Sequence, residues 1–162
     1  MVKIYLLKDK PEFIDKISEV NFNTWIDFYQ DNKYEDITNI DEYKEYLKEI
    51  YFNITKIPIM IVAVDDNKYV GNVSLINDDF PEIAKDRVWI TELYVEPEYR
   101  NKGIAKLLIK KALDTAKNCD LQEVYLSCLE NLVCYYEKLG FIRTGEEIFF
   151  ANKKYYVFKY KL

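Results

Sequence analysis

Apolar residues along the chain recur on two periods, and the switches between them mark the elements. Val2 to Leu7 reads as a short strand. Pro11 suits a first helical turn behind Asp9 or Lys10 as cap. Phe13, Ile17, Val20, Trp25 and Phe28 then follow a roughly helical period to about Tyr29. Gln30 to Thr38 is polar and reads as a loop. Asn39, with Glu42 three residues later, resembles a capping box. It opens a second helix with Ile40, Tyr43, Leu47, Ile50 and Ile54 on one face. Ile59 to Val64 and Tyr69 to Ile76 read as a hairpin around the turn residues Asp65-Asp66-Asn67-Lys68. Asn77 to Asp86 holds Pro81 and reads as a loop.

Trp89 to Val95 is a strand of aromatic and β-branched residues. Glu96-Pro97-Glu98 stops it, because Pro97 has no N–H for a ladder. A long amphipathic helix starts near Asn101 and runs to Asn118. Its expected buried face is Ile104, Leu107, Leu108, Ala112 and Thr115, with five lysines mostly off that face. Glu123 to Cys128 is the next strand, reached by a right-handed parallel crossover. Asn131 to Leu139 is a short helix ending at Gly140 as C-terminal cap. Phe141 to Phe150 and Tyr155 to Tyr160 are two closing strands. The order predicts an α/β fold.

The 162 residues suit one domain over 1–162, with 49% hydrophobic and 16% aromatic residues to build a core. Lys and Arg number 23 against 28 Asp and Glu, so the net charge is −5. That balance argues against nucleic acid as the main partner. The longest apolar run, Ile57 to Val64, is too short to span a bilayer, so no membrane is expected. Met1 to Lys10 lacks the pattern of a signal peptide, and a cytoplasmic protein is the expectation. Cys119, Cys128 and Cys134 are odd in number and show no CxxC spacing, so they read as small, mostly buried fillers, with a nucleophilic thiol as the alternative. With no histidine, the usual zinc and Ser-His sites are missing and no metal is expected.

The chemistry concentrates in Arg100-Asn101-Lys102-Gly103-Ile104-Ala105, between strand and helix. The first N–H groups of a helix have no internal partner and favour an anion. Gly103 lets a ligand approach the backbone, Ala105 is small, and Arg100 can pair with phosphate oxygens. The stretch suits a diphosphate; it also suits an ordinary strand-to-helix turn.

Arg100-x-x-Gly103-x-Ala105, after Leu93-Tyr94-Val95-x-Pro97, resembles the coenzyme A-binding motif of the GCN5-related N-acetyltransferase (GNAT) superfamily. Tyr136-Glu137-Lys138-Leu139-Gly140-Phe141, about thirty-five residues on, resembles the tyrosine segment that closes the coenzyme site in that family. The resemblance implies a central mixed, mostly antiparallel sheet with helices on both faces. It implies acetyl-CoA as cosubstrate and direct acetyl transfer to a small-molecule or peptide amine. A homodimer is among the assemblies it allows. A non-catalytic acyl-CoA sensor of the same fold is the rival.

The resemblance also implies roles. Leu93 and Val95 would meet the pantetheine arm through their backbones, with the Val95 N–H, or one near it, polarising the thioester carbonyl. Arg100, Lys102, Gly103, Ile104 and Ala105 would hold the diphosphate. Tyr136 would hydrogen-bond the departing sulfur; a phenol is a weaker acid than a thiol, so the proton arrives late. Glu92 would take the amine's proton, or it is an acid at an exposed part of the strand. Asn131 would contact the coenzyme, or it caps its helix. Eight acids and three lysines between Asp27 and Glu49 either attract a cationic amine or form a solvated helix face.

Overall fold

The structure, a computed structural model, describes residues 1–31, 37–52, 57–77, 86–150 and 152–162, with the side chains of 26–31 and 150 outside the description. Ile54, Pro81, Glu35 and Asp36 therefore lie outside the described residues, and the side chains of Phe28, Asp27 and Asp31 lie outside the described side chains.

Among the described residues seven strands form one sheet: β1 (Lys3–Leu6), β2 (Ile59–Asp65), β3 (Lys68–Asn77), β4 (Val88–Val95), β5 (Glu123–Cys128), β6 (Ile142–Phe150) and β7 (Lys153–Lys161). Their spatial order is β1-β2-β3-β4-β5-β7-β6. Only the β4–β5 neighbours are parallel, as the helical crossover between them requires. The β2–β3 turn places Asp66 and Asn67 at φ of 45° and 59°, the left-handed pair that a tight hairpin needs.

Among the described residues four helices cover the sheet: α1 (Ile14–Asp31), α2 (Ile40–Phe52), α3 (Ile104–Asn118) and α4 (Val133–Lys138). Alternation along the strands splits the core in two. Ile61, Val73, Leu75, Ile90 and Leu126 pack with Ile104, Leu108 and Ala112 of α3 and with Val133 and Tyr136 of α4. Met60, Val62 and Val64, one step out of phase, pack with Phe13, Ile14 and Ile17 and with Tyr43, Leu47 and Tyr51 of α2. A 3-10 turn over Pro11–Phe13 leads into α1, and Trp25 at φ −119° kinks it. None of the described helices is long and apolar enough to cross a membrane.

The start of α2 follows its sequence signature, with one difference. The Asn39 side chain accepts the Glu42 N–H at 3.0 Å. Glu42 reaches back one residue further than a standard capping box, to the N–H and hydroxyl of Thr38 at 2.7 and 2.8 Å.

Two buried faces differ from expectation. In α3 the buried set is Ile104, Leu108, Ile109, Ala112 and Ala116, while Leu107 is 40% exposed and Thr115 turns its hydroxyl to the Lys111 carbonyl. In α2 the buried stripe is Tyr43, Leu47 and Tyr51; Ile40 is exposed. Gly140, at φ 92°, ends α4 as expected, its N–H on the Glu137 carbonyl and the Phe141 N–H on that of Tyr136.

Candidate active site

The site is built where β4 bulges against β3 and parts from β5. β3 and β4 pair Ser74 with Thr91 but Asn72 with Tyr94, so Glu92 and Leu93 together oppose Val73. This is a β-bulge, and its first residue, Glu92, sits at φ 52°. A left-handed non-glycine residue costs about 1–2 kcal/mol and persists only when its surroundings hold it.

Glu92 is held at both ends. One carboxylate oxygen accepts the Tyr43 hydroxyl; the other accepts Tyr51 at 3.1 Å and Ser74 at 2.6 Å. The Glu92 carbonyl accepts the Asn72 side-chain amide at 2.7 Å. Burial, with the Glu92 charge adding, pushes the Tyr51 phenol far up, so it stays a proton donor. The carboxylate is half-buried under α2. The reading of Glu92 as an acid on an exposed stretch is thereby corrected: a solvated strand acid would not be ringed by hydroxyls from β3 and α2.

The bulge resets the phase of the strand. Leu93 and Val95 turn their side chains into the α3 core, on the face opposite Glu92. Their backbone groups point sideways in the sheet. The Glu96 N–H bonds the Val70 carbonyl at 3.0 Å and so faces β3. By strand alternation Val95 and Leu93 face the other way, toward β5. The register of β4 with β5, however, consists of Trp89 with Tyr125. Past it the two strands part, and the Leu93 and Val95 backbones border the opening.

At the mouth of that opening the chain turns into α3. The Arg100 Nε donates to the Val95 carbonyl at 2.9 Å, and its guanidinium lies 5.7 Å from the Tyr94 ring. The Lys102 ammonium lies 5.2 Å from the Tyr99 ring. Gly103, at φ 79°, precedes the helix with no side-chain cap. A Cβ built there meets nothing within 4 Å. Leu107 donates to the Gly103 carbonyl, so the N–H groups of Ile104, Ala105 and Lys106 have no partner inside the helix. Ile104 is buried and Ala105 half-buried. Backbone donors at open space fit a phosphate-bearing ligand.

Tyr136 stands on the α3 side, in the same core cluster as Val95, Ile104 and Cys128. Its ring meets Phe141 and Tyr135 edge-on at 5.8 and 5.2 Å. Burial, then Cys128 nearby, pushes its phenol up, so the hydroxyl stays protonated. Asn131 does not cap: it lies inside a 3-10 turn, Glu130–Leu132, whose cap position is Leu129, and it is exposed.

A profile of the Acetyltransferase (GNAT) family matches residues 19–141. The chain belongs to the GNAT family. The human N-acetyltransferase 8 is 32% identical over 91 residues, which is 54% of this chain and 40% of that protein. The chain thus spans about two fifths of the human relatives' length. A spermidine N(1)-acetyltransferase of Vibrio cholerae is 28% identical over 134 residues, covering 79% of this chain and 73% of its own. A probable acetyltransferase of Staphylococcus epidermidis shares the fold, with TM-score 0.70 at 17% identity over 99% of both chains. So does a GNAT acetyltransferase of Elizabethkingia anophelis with acetyl-CoA bound, with TM-score 0.55 at 19% identity over 74% of this chain and 83% of that one.

Within this GNAT fold Glu92 lies on the α2 face of the sheet, Tyr136 is buried in the core on the α3 face, and the Arg100 to Ala105 turn leads from β4 into α3. Sequence reading missed Tyr51, Ser74, Asn72 and Tyr69. The one available signal was the four-residue step Tyr43, Leu47, Tyr51, which places both phenols on one helix face.

Proposed function

We propose that the chain is an N-acetyltransferase that moves the acetyl group of acetyl-CoA to a primary amine by direct attack. The observation that carries this is the opening between β4 and β5. It runs from the strand backbone at Leu93 and Val95 to the uncapped start of α3 at Gly103. A pantetheine arm would add backbone hydrogen bonds where β5 has left, and the diphosphate would meet the N–H groups after Gly103, with Arg100 and Lys102 nearby.

Acetyl-CoA supplies an activated thioester carbonyl. The amine nitrogen bonds to that carbon, the carbon–sulfur bond breaks, and the sulfur leaves with its electron pair. A backbone N–H of β4 draws charge onto the carbonyl oxygen. Glu92 receives the proton that the amine gives up. Tyr136, kept neutral by burial, donates a hydrogen bond to the leaving sulfur. The hydroxyls of Tyr43, Tyr51 and Ser74 orient the Glu92 carboxylate and connect it to α2.

The acceptor class this best suits is a cationic amine. Relatives include spermidine and spermine acetyltransferases, and Glu49 adds negative charge to the exposed side of α2, where Glu45 is paired with Lys48. The test is thiol release from acetyl-CoA over a panel of polyamines, aminoglycosides, amino acids and peptide N-termini. Release with a polyamine is the expected result. Coenzyme binding without release for any amine would favour the sensor reading.

A further inference from the structure

We propose that Asn72, clamped by Tyr69, is a positioning residue that aims the Leu93 N–H at the acyl carbonyl; this rests on the proposed acetyl transfer. Asn72 is fully buried on β3, on the α1 and α2 side of the sheet. A buried amide is costly unless both its ends are paired. Here both are. The Glu92 carbonyl can only accept, so the amide nitrogen must face it. The amide oxygen is then left to accept the Tyr69 hydroxyl. Burial pushes the Tyr69 phenol up, which keeps it a donor.

The need for this clamp comes from the bulge. In an uninterrupted register with Asn72 opposite Tyr94, the Glu92 carbonyl would meet Ser74 of β3. The extra residue moves Ser74 onto Thr91. The bulge takes the Glu92 carbonyl out of that register, and the Asn72 side-chain amide donates to it at 2.7 Å. A trans peptide points its N–H opposite its C=O. With the Glu92 carbonyl fastened toward β3, the Leu93 N–H points away from β3, to the side where β5 has parted. Reorienting that one peptide needs changes only at the Glu92 ψ and the Leu93 φ. At a φ of 52° a non-glycine residue has only a narrow range of ψ, so the Glu92 backbone itself opposes part of such a flip, and the side-chain clamp of Asn72 and Tyr69 adds to it. These two residues touch neither substrate nor coenzyme and act through the peptide they hold.

The experiment has three arms. Calorimetry first measures wild-type affinity for CoA and acetyl-CoA; binding of neither overturns the proposed acetyl transfer itself, and this inference with it. Next, the Leu93 amide resonance of the wild type is followed with each ligand. Only acetyl-CoA carries the carbonyl, so it should shift that resonance well beyond CoA; equal shifts overturn the proposal. Last come Asn72→Asp, which sets an oxygen against the Glu92 carbonyl, and Tyr69→Phe, which frees the amide to turn. Asn72→Asp should lower kcat about 10- to 100-fold, less than the roughly 100- to 1,000-fold cost of removing an oxyanion donor outright because the donor is misaimed and not removed, while CoA affinity stays within about twofold and the extra Leu93 shift disappears. Tyr69→Phe should move the same quantities less. If the variants lose CoA and acetyl-CoA affinity in step, or keep kcat and the Leu93 shift, Asn72 only satisfies a carbonyl. Should Asn72→Asp fail to fold, Tyr69→Phe and the wild-type resonance still decide.

Discussion

Replacing Gly103 separates the needs of the backbone from the needs of a ligand. The residue sits at φ 79°, and a Cβ there meets nothing within 4 Å. A side chain therefore causes no clash within the protein and adds only left-handed strain of about 1–2 kcal/mol. For a chain of 162 residues, 1 kcal/mol moves Tm by about 2–4 °C, so Gly103→Ala should lower it by roughly 2–8 °C. Acetyl-CoA at one hundred times its Kd should stabilise the wild type by about 2.7 kcal/mol, or roughly 5–10 °C. Gly103→Glu should remain folded, yet lose that ligand-induced rise, because bulk and negative charge then fill the space beside the Ile104 to Lys106 N–H groups. Gly71 provides the contrast. A Cβ there would come 2.5 Å from the Tyr94 carbonyl oxygen, so Gly71→Ala should destabilise the protein with or without ligand. The assay is a thermal melt at several acetyl-CoA concentrations. A folded Gly103→Glu variant that keeps the full wild-type rise would refute the placement of the diphosphate.

Tyr136→Phe should lower kcat roughly 10- to 100-fold with little change in coenzyme affinity, and Tyr135→Phe should be nearly silent; steady-state kinetics with a calorimetric titration checks both. Glu92→Gln should cost about 1–2 kcal/mol of stability by disturbing its ring of hydroxyl donors. Its kcat/KM defect should be largest at low pH, where the amine most needs a base, and a flat pH dependence of that defect would remove Glu92 from the proton path. Stability should fall as pH rises above 9. Burial lifts the Cys128 thiol from 9.0 to about 11 and lifts the Tyr136, Tyr69 and Tyr51 phenols. Above pH 9 the unfolded thiol loses its proton before the folded one does, so folding stability drops through that window. Cys128→Ala should reduce the slope between pH 9 and 10 in denaturant titrations; from about pH 10, the ordinary phenol value, the buried phenols add their own fall.

What the chain made legible was local. Pro97 stopping a strand, Asn39 and Glu42 opening a helix and Gly140 closing one are each decided within a few residues. The family motifs led to Arg100–Ala105 and Tyr136 in the same way. What remained hidden depended on distant partners. The bulge at Glu92 is a mismatch between two strands and leaves no mark in either alone. Tyr51 gains its importance from a carboxylate 41 residues away. The rotated face of α3 has a different cause: Leu107 is apolar but exposed, and an exposed leucine breaks no rule that periodicity can detect.

The one rung between β4 and β5 has a mechanical consequence. It makes the sheet two plates, one of β1 to β4 and one of β5 to β7, tied along a short seam and connected along the chain by α3. Such plates can open separately, and each then has its own amide exchange rate. A molecule lying along the parted edges acts as a strut between them. Its binding should slow exchange deep in both plates, in strands it never touches, because the loose seam is then braced along its length.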